Sequence, residues 1–184
     1  MSRPVTAALA AVALCLFALA ATAQAPPPSH GATASTAGGI QWTVPSGWTA
    51  GKTNPMRVAT YAVPAAKGAD PGECTVFFFG PGQGGGVDEN IERWSRQFEG
   101  SPPAKRSKKS VAGMGVTFAD LEGTYLNPGG GLMISQGKRP GYRLLGAIVE
   151  APRGPVFIKM TGPAGTMAAA RAAFDGLVGS IVKK

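Results

Sequence analysis

Gly80, Gly82 and Gly85 carry the G-x-G-x-x-G spacing of a dinucleotide-binding turn, within TVFFFGPGQGGGVDENIERW from Thr75 to Trp94. Such a turn works by offering free helix-start amides to a pyrophosphate. The residues that follow oppose that chemistry. Asp88 and Glu89 occupy the first turn of the expected helix, with Glu92 just beyond. Carboxylates there complement the helix dipole themselves and repel a phosphate. No Lys-Ser or Lys-Thr follows the glycines, which excludes a P-loop. The stretch reads as a flexible strand-to-helix connection, and no cofactor is expected.

Other reactive residue types are sparse. The single histidine, His30, stands in a Pro/Ala/Ser/Thr/Gly stretch, so Ser-His and Cys-His pairs are not expected within the fold. Cys74 precedes an apolar run and reads as a buried strand thiol, not a reactive one. These counts leave no transition-metal set. Asp120 and Glu122 stand two apart on an expected strand, which puts both carboxylates on one face. They are candidates for a carboxylate pair in a cleft bordered by Gly129 to Gly141, against the plainer alternative of solvated edge charges. Lys105, Arg106, Lys108 and Lys109 in PPAKRSKKS form the densest positive cluster and read as a solvated loop. They are the candidate contact for a partner or an anionic surface.

Compartment follows from the first residues. Arg3, the apolar run Val5 to Ala20 and the small residues Ala21-Thr22-Ala23 read as a secretory signal peptide over 1–23, cleaved after Ala23. Cys15 is a poor lipid acceptor, because Leu14 precedes it and the apolar run continues. Residues 24–39 lack apolar periodicity and read as a flexible tether. The remainder, 40–184, suits one domain with its own core. The formal net charge is +8, of which Arg3 leaves with the leader. In an exported chain that charge favours acidic envelope proteins or anionic envelope material over nucleic acid. Periplasm or the extracellular space is expected, with no transmembrane segment in the mature form.

The elements that position these residues are short strands separated by Gly and Pro. Expected strands are Ile40–Val44, Met56–Val63, Cys74–Phe79, roughly KKSVAG, GVTFADLEGTYL, Tyr142–Glu150 and Pro155–Gly162. In the last, Val156, Ile158 and Met160 share one face, and Phe157 and Lys159 the other. Cys74–Phe79 is apolar throughout, as in a strand covered on both sides. Val87–Phe98 is an expected helix with the stripe Val87, Ile91, Trp94 and Phe98, and with Glu89–Arg93 and Glu92–Arg96 pairs on its wet side. Asp88 or the preceding glycines are candidates to cap it. A final helix is expected from a Thr166 cap to about Val182, with Lys183 and Lys184 at its carbonyl end. Strands, helix, strands, helix is an α+β order that predicts a mostly antiparallel sheet with helices packed on it.

WTVPSGWTA, the helix ENIERWSRQF after an aromatic strand, and VFIKMTGPAGTMAAARAAFDGLVGSI together resemble the PsbP-like group across nearly all of 40–184. That group spans the extrinsic photosystem II subunit, a Ran-binding nuclear import factor and DcrB-type envelope proteins. The resemblance implies an αβα sandwich and a non-enzymatic binding or assembly module, without naming a partner. Two functions are therefore set against each other. One is an exported module that binds another envelope protein through its sheet edge or basic surface. The other is a small-ligand-binding protein or hydrolase with a cleft near Asp120 and Glu122.

Overall fold

The computed structural model describes residues 34–52, 56–126 and 137–184. The leader reading of 1–23, the tether up to residue 33 and most of the Gly129–Gly141 segment lie outside them. Strands β1 (Ala34–Ala37) and β2 (Ile40–Thr43) form a hairpin, followed by β3 (Thr49–Ala50), β4 (Ala59–Val63), β5 (Gly72–Phe77) and helix α1 (Val87–Ser95). Then come β6 (Lys105–Val111), β7 (Met114–Tyr125), β8 (Arg139–Val149), β9 (Val156–Pro163), α2 (Ala164–Ala169), α3 (Arg171–Gly179) and β10 (Val182–Lys183). The large sheet runs β3-β4-β5-β9-β8-β7-β6 and the small one β1-β2-β10. Every pairing in both is antiparallel.

The large sheet carries a core on each face, as the alternation in β9 predicts. Val156, Ile158 and Met160 join Cys74, Val76, Leu145 and Ala147 beneath Met167, Phe174, Leu177 and Val178 of α2 and α3. Phe157 joins Leu121, Leu144 and Ile148 beneath Ile91 and Trp94 of α1, with Phe98 just after the helix. The result is an αβα sandwich within an α+β fold. Gly146 on β8 sets how closely α1 approaches, because a Cβ there would run into the Trp94 ring. Glu89–Arg93 and Glu92–Arg96 pair on the outer face of α1 at 3.1 and 3.8 Å, as their spacing predicts.

Several boundaries differ from expectation. Residues 34–39 are not tether: β1 pairs with β2 across Gly38 and Gly39, both at positive φ, the backbone of a two-residue hairpin. The expected strand from Met56 begins at Ala59. The final helix is interrupted at Ala170, and Thr166 lies inside α2 instead of capping it. The Thr166 hydroxyl donates to the Asp70 carbonyl at 2.8 Å and accepts from the Ala66 amide at 3.2 Å, tying α2 to the loop before β5. Lys183 belongs to β10, opposite Ile40, and does not complement a helix end.

Candidate functional site at the basic edge

Lys105, Arg106, Lys108 and Lys109 lie on β6, an edge strand that begins three residues before the expected KKSVAG strand, so the whole cluster is strand and not solvated loop. Lysine-rich segments have little intrinsic strand preference, so pairing decides the conformation here. Val111 meets Met114 across Ala112 and Gly113, whose φ of 49° and 74° give the turn the handedness that suits a two-residue hairpin. Strand alternation then divides the charges. Lys105, Ser107 and Lys109 stand opposite Asp120, Phe118 and Val116 on the α3 side, and Arg106 and Lys108 stand on the α1 side. Arg106 Nη1 reaches Asp88 Oδ1 of α1 at 2.5 Å, and Lys109 Nζ lies 5.5 Å from the centre of the Phe118 ring. Among the described residues Lys105 and Lys108 make no ion pair, and no strand pairs with the outer edge of β6.

Asp120 and Glu122 do share a face of β7, but Arg143 stands across from them. Arg143 Nε and Nη2 bind the two Asp120 oxygens at 2.8 and 2.6 Å. Arg171 Nη1 adds a third contact at 3.2 Å. Burial alone would raise the Asp120 carboxyl, but hydrogen bonds and charge from Arg143, with Arg171, outweigh it and hold the group below its usual range. Glu122 is exposed, with its nearest oxygen 3.9 Å from Arg143 Nε. A general acid needs a raised carboxyl, so this arrangement runs against the acid–base use of the pair. A recess of about 190 Å³ opens between β6 and α3, lined by Lys105, Ser107, Phe118, Asp120, Arg171 and Phe174. Glu122 is not on its wall, and the expected border at Gly129–Gly141 lies largely outside the described residues.

The other reactive candidates have structural explanations. The glycine turn is tied to α1 by Asn90, whose Nδ2 donates to the Gly84 and Gly86 carbonyls, each at 2.8 Å. Gly84 has φ of 92°, and a Cβ there would meet the Phe79 and Phe157 rings. The helix cap position is Gly86, and Asp88 instead faces Arg106. Cys74 is fully buried, and burial, helped by Glu73, pushes its thiol up.

A second polar cluster occupies the α1 face. Lys159 Nζ and Tyr125 Oη both donate to Gln97 Oε1, each at 3.2 Å. Tyr125 stacks on Tyr142, and Arg139 Nη1 donates to the Tyr142 hydroxyl at 3.1 Å. Nearby, Arg57 pairs with Glu73 at 3.0 Å. Burial, reinforced by the Arg57 charge, lowers Lys159 to about 8. Burial and the Glu73 charge raise Tyr125 to about 12. Lys159 shares the Phe157 face of β9, and a lysine on a covered face of a central strand is the sequence signal for this cluster.

No family model matches the chain, and no curated protein matches it. Among solved structures the chain is similar to PA94, a protein of unknown function from Pseudomonas aeruginosa. The identity is 13% and the TM-score 0.47, over 84% of this chain and 98% of that one. A likeness at this level leaves the fold description resting on the chain's own geometry.

Among the described residues, no group of three or more His, Cys, Asp and Glu is placed to hold a metal ion. No helix among them is long and apolar enough to cross a membrane. What the basic edge can do chemically is offer unpaired backbone donors and acceptors flanked on both sides by cations.

Proposed function

We propose that the chain is an exported, non-enzymatic binding module that captures an acidic partner along β6. The observation that carries this reading is the open edge itself: a seven-residue strand whose first six residues are all exposed, with cations on both of its sides. An extended partner segment can add to such an edge through main-chain hydrogen bonds, with specificity set by its side chains. Lysines on an edge discourage two copies from pairing with each other, since like charges then face across the new seam. An acidic strand meets no such penalty. The resemblance to the PsbP-like group supports an assembly role of this kind, and the grip of Arg143 and Arg171 on Asp120 weighs against the hydrolase alternative.

The test is surface binding of native envelope fractions by wild type and by a variant with Lys105, Arg106, Lys108 and Lys109 neutralised. Wild-type binding should weaken as salt rises, because exposed charges are screened over about 8–10 Å at physiological strength. The variant should associate more slowly and lose most of the salt dependence. Identical, salt-independent binding by both proteins would rule the reading out.

A further inference from the structure

The recess between β6 and α3 lies against the open edge, and the side-chain sizes along β6 decide how it is entered. On the α3 side of the strand Lys105 and Lys109 are long, and Ser107 between them is short. Ser107 is exposed and stands opposite Phe118. The gap it leaves gives onto apolar walls of Phe118, Leu145 and Phe174, with the half-exposed Arg171 at the far rim. The recess measures about 190 Å³. An apolar cavity of about 150 Å³ takes up benzene, so there is room here for one leucine-sized side chain.

The cations of β6 are not equivalent. Arg106 is matched by Asp88, and Lys109 lies over the Phe118 ring. Lys105 faces Asp120 across the seam with β7, but Arg143 and Arg171 already hold that carboxylate. Among the described residues Lys105 and Lys108 are therefore the cations of this strand without an anionic or aromatic partner. They are three apart on a strand, so they project to opposite faces, Lys105 to the α3 side and Lys108 to the α1 side. A strand laid along the edge would bring each of its side chains within about 5 Å of the one opposite, on the same face.

We infer that the β6 edge and the recess form one site for an extended segment with two acidic residues three apart and an apolar anchor directly after the first. The inference rests on the edge-strand reading and specifies its partner. Every pairing in the sheet is antiparallel, and an added strand of the same sense reads Glu-Leu-x-Glu along the edge. Its first acid faces Lys108, the leucine crosses Ser107 into the recess, the third residue passes Arg106, and the second acid faces Lys105. Main-chain hydrogen bonds hold such a strand, while the charges and the pocket select its sequence. Lysines alone would accept any acidic strand. The gap at Ser107 narrows the choice, because a leucine placed over Phe118 and Phe174 leaves water in a way that a purely acidic segment cannot.

The measurement is fluorescence anisotropy of a labelled, terminally blocked peptide, Thr-Glu-Leu-Thr-Glu-Thr, and of its leucine-to-serine counterpart, with the full chain at low and high salt. Both should bind less tightly as salt rises. The leucine peptide should bind about tenfold more tightly than its counterpart, part of what burying a whole leucine contributes. A Ser107→Tyr variant fills the gap from an exposed position, so it should keep its melting temperature and its salt dependence while losing the preference for leucine. Replacing the second glutamate with glutamine should weaken binding to wild type several-fold and leave binding to Lys105→Gln unchanged. The same change at the first glutamate should couple to Lys108→Gln instead. Salt-dependent binding with no preference for leucine, or a preference that survives in Ser107→Tyr, overturns the anchor and leaves the edge-strand reading standing. Exchanged couplings overturn the antiparallel order. Absence of salt-dependent binding by either peptide overturns the edge-strand reading, and this site with it.

Discussion

Arg143 holds both carboxylate oxygens of Asp120 from the neighbouring strand, at 2.8 and 2.6 Å. A guanidinium matched to a carboxylate in two parallel hydrogen bonds fixes geometry as well as charge. The pair sits at the directly adjoining strands β7 and β8, beside the recess that opens toward β6 and α3.

Asp120→Asn should therefore lower stability by about 1.5–3 kcal/mol, the range for hydrogen bonds to charged groups. Arg171 is more exposed, so Arg171→Ala should cost under about 1 kcal/mol. The Asp120 carboxyl is lowered in the fold, so its contribution is present above the ordinary value of 3.8 and fades as pH falls through the folded value. Urea unfolding of both variants at neutral and acidic pH checks the sizes and the sign. An Asp120→Asn loss that did not shrink on acidification would contradict the assignment.

Trp94 is 6% exposed and packs on Gly146, so Trp94→Ala should cost about 3–5 kcal/mol. Gly146→Ala should cost about 1–3 kcal/mol by overpacking the same contact. In the double variant the second change should cost much less than it does alone, since the clashing ring is gone. Strict additivity in a double-mutant cycle would mean that the two residues do not touch.

Stability should also rise with pH through the alkaline side. Lys159 titrates at about 8 in the fold, below its ordinary 10.5, so between those values the unfolded chain binds more protons and unfolding becomes harder as pH climbs. Tyr125 acts oppositely from its ordinary 10.0 up to about 12, where the folded chain retains the extra proton. The two effects predict a maximum near pH 10. Lys159→Met should flatten the rise, which thermal melts across pH 7 to 11 would reveal.

Protein recovered from its native host should begin at Gln24, from the Ala21-Thr22-Ala23 cleavage pattern. N-terminal mass spectrometry decides this. An intact Met1, or a lipid on Cys15, would remove the export reading and with it the expected class of partner.

Much of the sandwich was legible because periodicity is a strong signal when a face is buried. The Ile91-Trp94-Phe98 stripe and the β9 alternation both lead to the correct sides of the sheet. Composition was a weaker guide. It hid β1, whose small residues look like linker, although the Gly38-Gly39 dipeptide is itself a hairpin signal. It also delayed β6: a strand was expected from about Lys108, but Lys105 to Ser107 looked like loop, because basic residues say little about strand pairing while β7 dictates it. At the site, Asp120 and Glu122 were correctly placed together, yet their spacing carried no sign of Arg143, which is brought over by a strand more than twenty residues later. The break at Ala170 had no local warning, since alanine favours continuing a helix.

The strand order has a consequence for how the chain assembles. β3-β4-β5 is one run of consecutive strands, and β6-β7-β8-β9 is a second in which each strand pairs with the next. The two runs meet along a single seam, β5 against β9, where Cys74 faces Met160 and Val76 faces Ile158. Until Val156 to Pro163 has emerged, β5 and β8 each present an apolar edge with no neighbour, and both await the same strand. Long-range pairings of this kind form late and leave open edges exposed. During that interval a chain is most prone to exchange its β9 with another molecule, yielding an entangled pair in which each copy completes the other's sheet.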